Sequence, residues 1–125
     1  MIELLDTRSP KIVGVRCSGK LNDEDYKVME PKLEEAIKSE GTIRLFAEFN
    51  DFHGWDLHAA WDEFRIGMKH SNEFEKIAMV GDKKWERWVA TITSMFTPAK
   101  VRYFDKSEME KAWYWLEDDS FLTFH

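Results

Sequence analysis

The sequence predicts an α/β fold: a single mixed, mostly parallel sheet of four to five strands flanked by about four helices. Three observations carry this reading. Short apolar runs, IELLD, KIVGVRCS, IRLFAEF, KIAMV and VRYF, are bounded by turn-forming residues. Longer segments lie between most of them, with apolar residues recurring at i, i+3, i+4 and i+7, as on one face of a helix. Strands that alternate with helices along a chain build parallel sheets joined by right-handed crossovers.

Ile2 to Asp6 is the first strand candidate, and Ser9-Pro10 turns the chain. From Lys11 to Ser18, Ile12, Gly14, Arg16 and Ser18 fall on one side and Val13, Val15 and Cys17 on the other, which reads as a strand with one apolar face. The short connection favours antiparallel pairing of these two strands. Asn22 is suited to N-cap a helix whose first turn carries Asp23, Glu24 and Asp25, and Leu21 and Tyr26 occupy the two positions of a hydrophobic staple. Tyr26, Met29, Leu33, Ala36 and Ile37 form the apolar stripe. Pro31 interrupts it and predicts a kink or a second helix, because proline lacks the backbone donor. Gly41 is the expected C-cap.

In the next strand, Ile43 to Phe49, the residues Ile43, Leu45, Ala47 and Phe49 alternate with Arg44, Phe46 and Glu48. Asp51 to Asp56 reads as a loop, with Asp56 capping a helix from about Leu57 to Lys69 that carries Trp61, Phe64, Ile66 and Met68. Lys76 to Val80 is a strand, Gly81 a turn, and Asp82 the cap of a helix whose Trp85, Trp88, Val89, Ile92, Met95 and Phe96 share one face. Pro98 ends that connection. Val101 to Phe104 is the last strand, and Asp105 or Ser107 starts a helix with Met109, Ala112, Trp113 and Leu116 on one face. Phe121, Leu122 and Phe124 suggest a tail folded onto the body.

A chain of 125 residues fits one domain spanning residues 1–125. Its formal charge of -6 argues against a general nucleic-acid binder, which needs a basic face to displace phosphate counterions. Cys17 is the only cysteine, so neither an internal disulfide nor a thiolate zinc cluster within the chain is expected. The opening MIELLDTRSPK lacks a basic segment followed by an apolar run, and no apolar stretch approaches the ~20 residues that cross a bilayer. A cytoplasmic location is expected, with room for peripheral contact with a membrane.

Four segments in order, LNDEDYKVMEPKLEEAI, GTIRLFAEFNDFHGWDLHAAWDEF, MKHSNEFEKIAMVGDKKWERW and VRYFDKSEMEKAWYWL, with GWD at Gly54 to Asp56, VGDKKW at Val80 to Trp85 and YFD at Tyr103 to Asp105, resemble the SpoIIAA-like family. The resemblance runs from about Lys11 to Leu116. That family is similar to the STAS domains of anti-sigma-factor antagonists and to SEC14/CRAL-TRIO lipid-binding folds. The resemblance implies a small, mostly bacterial protein, a four- or five-stranded sheet with helices, and no catalytic residues. STAS antagonists carry a serine where the helix after the third long strand begins, and its phosphorylation breaks partner binding. The matching stretch here, Asn50 to Asp56, holds no serine or threonine, so that switch is not carried over.

Ligands of open α/β sheets gather where strand C-termini meet helix N-termini. That rim is expected to hold Asn50 to Trp55, Gly81 to Trp85 and Asp105 to Ser107. The expected binding residues are Phe52, Trp55, Trp85, Trp88, Val89, Ile92 and Phe96. Their aromatic face, rimmed by Lys83, Lys84 and Arg87, suits a movable helix over an apolar or lipid-like molecule, a membrane surface, a protein partner or a second copy of the chain. An aromatic stripe at helical spacing is also ordinary core. His53, Asp56, His58 and Asp62 contain an i, i+4 pair, too little to define a metal site, and capping roles account for them. Val80 to Lys84 holds one glycine where a phosphate loop needs several. Cys17 in a strand reads as a small buried residue. The expectation is a non-enzymatic regulatory or binding module, with no catalytic residue, metal or cofactor; an unrecognised enzyme using the His53 to His58 loop is the lesser alternative.

Overall fold

The structure, a computed structural model, describes residues 1–56, 74–82 and 101–118. Five strands form one sheet in sequence order: β1 (Ile2–Leu5), β2 (Ile12–Asn22), β3 (Ile43–Asp56), β4 (Phe74–Gly81) and β5 (Val101–Asp105). Helix α1 (Asp23–Glu40) joins β2 to β3. A short 3₁₀ turn (Lys106–Glu108) leads from β5 into α2 (Met109–Glu117). Strand β1 pairs antiparallel with β2, from Ile2 opposite Cys17 to Leu5 opposite Gly14, and every other neighbouring pair is parallel. The sheet is therefore mixed and mostly parallel, at the upper end of the expected strand number. The helices expected over 57–69 and 83–96 lie outside the described residues, as does the tail after Asp118.

Side-chain alternation divides the sheet into two faces. Val13, Val15, Cys17, Ile43, Leu45, Ala47, Phe49, Ile77 and Met79 belong to one core cluster with Met29, Leu33 and Ala36 of α1. Ile12, Phe46, Ala78, Val80 and Phe104 form a second cluster with Ala112 and Leu116 of α2, flanked by Met109, Trp113 and Trp115. Phe46 stacks on Trp113 at 4.1 Å between ring centroids. The expectation that β2 has one apolar face is corrected by this arrangement. Ile12 and Val13 are both buried, on opposite faces, because helices cover both sides of a parallel sheet.

Two further expectations change. Helix α1 runs unbroken through Pro31. Pro31 and Lys27, whose carbonyl lacks the usual helical donor, both lie on the exposed side, so the proline leaves no buried polar group unsatisfied. The stretch Asp51 to Asp56 is strand, not loop: β3 stays paired with β2 as far as Asp56 opposite Asn22. The polar and glycine residues that read as loop are accommodated by register shifts on either side of Gly19. Asn22 caps α1 as expected. Its side chain accepts from the Asp25 N–H at 3.1 Å, and the Asp25 carboxylate accepts from the Asn22 N–H at 2.9 Å, a reciprocal capping box. Gly41, at φ 80, ends the helix and donates to the Ile37 carbonyl at 2.8 Å.

Candidate functional site

Strands β2, β3, β4 and β5 run the same way, so their C-terminal ends, at Asn22, Asp56, Gly81 and Asp105, share one end of the sheet. Gly81 sits opposite Asp105 there. The β3–β4 ladder reaches Glu48 opposite Val80, whereas β3 continues beside β2 to its end. Within that extension Ser18 opposes Asn50, Gly19 opposes Phe52 and Lys20 opposes Gly54, leaving Asp51 and His53 as inserted residues. Bulges of this kind re-aim side chains and are uncommon between parallel strands. Asp51 holds φ 47 and Gly19 φ 64. Left-handed backbone is costly for a residue with a Cβ, and aspartate is among the few that tolerate it.

The bulge decides where Phe52 points. Strict alternation from Phe49 would send Phe52 to the α2 side. The extra residue Asp51 returns it to the α1 side, where it packs on the first core cluster and meets Phe49 edge to face at 5.2 Å and 73°. The backbone of Trp55 pairs with Leu21 at the same end. Trp85, Trp88, Val89, Ile92 and Phe96 lie outside the described residues. Of the seven expected binding residues, the structure thus places Phe52 and the Trp55 backbone on the rim.

Other rim groups hold local structure. Asp105 accepts from the Ser107 N–H at 3.4 Å, and its own N–H donates to Glu108 at 3.2 Å, which starts the final helical segment. The Tyr103 hydroxyl donates to the Asp82 carbonyl at 2.7 Å. His53 Nε2 stands 3.3 Å from Asp51 Oδ1, with both side chains exposed. Among the described residues no three His, Cys, Asp or Glu side chains gather to hold a metal ion. Cys17 is buried, and burial pushes its thiol up to about 12, so it stays protonated and unreactive.

Sequence reasoning missed two polar clusters. On the α2 face, Arg16 Nε donates to Glu48, Arg16 also lies 3.5 Å from Glu3, and Asn50 donates to the same Glu48 oxygen at 3.4 Å. Glu48 is only 6% exposed, and its hydrogen bond and charge hold the Arg16 guanidinium above its ordinary range. The signal was present: Arg16 and Glu48 are opposite charges at the polar positions of two alternating strands, and they lie opposite each other. At the far end of the sheet, Glu75 accepts from Lys11 at 2.6 Å, Thr42 at 2.6 Å and Arg44 at 2.9 Å. Burial pushes the Glu75 carboxyl up, but those three hydrogen bonds and the Arg44 charge outweigh it and hold the group at about 2. Arg44 also donates to the Leu116 carbonyl, and Lys76 donates to the Trp115 and Asp118 carbonyls, each at 2.7 Å. These buried cations satisfy the open carbonyls where α2 ends.

The SpoIIAA-like family profile matches residues 12–117, and the chain belongs to that family. Its fold is similar to that of an uncharacterised protein of the DUF3478 family with a SpoIIAA-like fold from Shewanella loihica PV-4, at 30% identity and TM-score 0.69, covering 93% of this chain and 92% of that one. It is also similar to the anti-sigma factor antagonist SpoIIAA in its unphosphorylated form, at 16% identity and TM-score 0.59, covering 89% and 94% of the two chains. The phosphorylated form of the Bacillus cell fate determinant SpoIIAA matches at 11% identity and TM-score 0.53, covering 89% and 97%. At those two identities the likeness is one of fold. Among curated proteins none matches at a significant level. No helix among the described residues is long and apolar enough to cross a membrane.

Proposed function

We propose that this chain is a non-enzymatic regulatory module, one domain over residues 1–125, that works in the cytoplasm by binding a protein partner along the rim from Asn50 to Trp55. The observation that carries this reading is the bulged end of β3. It extends past β4, it keeps Asp51 in left-handed backbone, and it leaves Phe52 half-buried and His53 exposed. Backbone held in sparsely populated conformations clusters at binding and switch regions, which supports a recognition role for this rim. The likeness in fold to a protein named an anti-sigma factor antagonist supports a protein partner. The absence of serine and threonine between Asn50 and Asp56 means that such binding is not controlled by phosphorylation of that stretch. A buried, protonated Cys17 and an exposed Asp51–His53 pair supply no activated nucleophile, which favours binding over catalysis.

A photo-crosslinking residue in place of Phe52 tests the reading in cells, with the same residue at Glu35 on the exposed side of α1 as control. A discrete protein adduct from position 52 and not from position 35 is the expected result. Identical adducts from both positions would remove the rim from consideration.

A second reading keeps the rim and changes the occupant. Phe49 and Phe52 form an aromatic pair there, which favours an apolar or lipid-like molecule between it and the segment carrying Trp85, Trp88, Val89, Ile92 and Phe96, at times on a membrane surface. Saturable binding of a fluorescent fatty acid, weakened by Phe52→Ala and by Trp85→Ala, distinguishes it. If titration shows no binding, the aromatic segment is left to a protein partner or a second copy. In that case light scattering separates those two by a concentration-dependent mass that Trp85→Ala abolishes.

A further inference from the structure

The stretch of β3 beside Gly19 is longer than its partner and is held from both faces. Ser18 opposes Asn50 and Lys20 opposes Gly54, so Asp51, Phe52 and His53 stand against the single residue Gly19. Asn50 lies on the α2 face, where its side chain donates to Glu48 at 3.4 Å. Phe52 lies on the α1 face, packed on the first core cluster and edge to face with Phe49. Residues two apart in a regular strand share a face. These two do not, and the left-handed backbone of Asp51, at φ 47, makes up the difference. Strand β4 gives no pairing here, since its ladder with β3 ends at Glu48 opposite Val80.

Two terms of similar size act on this segment in opposite directions. Straightening Asp51 recovers the cost of left-handed backbone for a residue with a Cβ, a factor of roughly ten in the ratio of the two forms. Straightening also sends Phe52 to the side of Asn50. That forfeits the burial of a ring that is already half-exposed, again a factor of roughly ten. The edge-to-face contact with Phe49 tips the balance toward the bulged form. The opposite strand leaves room for the exchange. Gly19 is half-exposed, and no atom beyond its chain neighbours stands within 4 Å of where a Cβ would sit. It holds φ 64, and a glycine passes between left-handed and extended backbone without a steric penalty.

We propose that the end of β3 is a two-state element that moves Phe52 between two positions: against Phe49 while Asp51 is left-handed, and on the side of Asn50 when Asp51 is extended. Strained backbone at a rim is one way a fold stores bistability. The ring is offered outward only in the second form. An occupant that takes it there draws the equilibrium only as far as its affinity differs between the two forms. A tenfold preference for the bulged form weakens such an occupant about tenfold, and any change that favours extended Asp51 returns that factor. This use as a control of binding rests on the rim reading proposed above; the equilibrium itself belongs to the chain alone.

NMR relaxation dispersion on the full chain, ¹⁵N-labelled and without a partner, reads the exchange directly. The proposal expects one common exchange process at the Gly19, Asp51, Phe52 and His53 amides, with a minor form of about 1–10%. Asp51→Gly removes the left-handed penalty and is expected to lower the minor form about tenfold, so that the dispersion disappears. Asp51→Val raises that penalty, because a β-branched residue rarely takes positive φ. It is expected to make the second form the major one. Phe52 then loses its ring contacts with Phe49, while the contacts of Phe46 with Trp113 remain. The proposal is overturned if the natural chain shows no exchange at these amides or if Asp51→Gly leaves the exchange unchanged. It is equally overturned if Asp51→Val keeps Phe52 against Phe49 and only lowers stability. The first two readouts stand even where Asp51→Val does not fold. Exchange together with no crosslinked protein from position 52 would uphold the two-state element and remove the rim reading, so the two failures are separate.

Discussion

Gly14 sits on β2 beneath the turn that follows β1. A methyl group there would stand 2.9 Å from Cγ2 of Thr7 and 3.2 Å from Cβ of Leu5, inside contact distance. Thr7 has little freedom to withdraw, because its hydroxyl lies 2.8 Å from the Ser9 carbonyl and 2.7 Å from the Ile12 carbonyl. Gly14→Ala is therefore expected to lower stability by about 1–3 kcal/mol, the usual cost of overpacking. Thr7→Ser removes the clashing methyl and keeps the hydroxyl, so it should recover most of that loss in the double variant; urea denaturation of the four proteins in the cycle checks both effects. The sequence showed this glycine only as one alternating position in a strand. The nearness of Thr7 depends on how the turn folds back, which no local pattern encodes.

Helix α1 is the element most fully written in its own residues. The Asn22 cap, the reciprocal bond with Asp25, the buried Met29, Leu33 and Ala36, and the Gly41 terminus are all present where the spacing puts them. Asn22→Ala should cost about 1 kcal/mol in thermal or urea unfolding, because the Asp25 N–H then loses its partner at the helix start. Pro31 was misread because its penalty depends on exposure: on the solvent side it lowers helix stability without dividing the helix. Strand β3 shows the opposite kind of error. Asn50, Asp51, His53 and Gly54 have the composition of a loop, and their pairing with β2 is imposed by a neighbour distant in sequence. Tertiary pairing of this sort routinely overrides strand propensity.

At the scale of the molecule, the end of the sheet opposite the rim is held by charge. Glu75 gathers Lys11, Thr42 and Arg44, while Arg44 and Lys76 reach the last carbonyls of α2. The folded Glu75 carboxyl titrates at about 2, below its ordinary 4.5. A depressed carboxyl stabilises the fold above its unfolded value and loses that contribution as pH falls from 4.5 towards 2. Glu75→Gln should therefore cost on the order of 2 kcal/mol at neutral pH and make the acid limb of the stability profile shallower across that window. Chemical denaturation from pH 7 to pH 2 measures both. An unchanged acid limb in the variant would show that other carboxylates govern acid unfolding.

The chain by itself determined where each strand begins, the antiparallel start, α1 with both its caps, the Asp105 start of the last helical segment, and the family to which it belongs. Those features rest on short-range causes: side-chain periodicity, capping groups and turn residues act within a few positions of one another. Only the tertiary structure decided that both faces of β2 are covered, that β3 runs on through a bulge to Asp56, that Arg16 meets Glu48, and that three cations and a threonine close the far end of the sheet around Glu75 and α2. Each of these joins residues far apart in sequence. Their energies come from burial and charge pairing that exist only once the strands lie side by side.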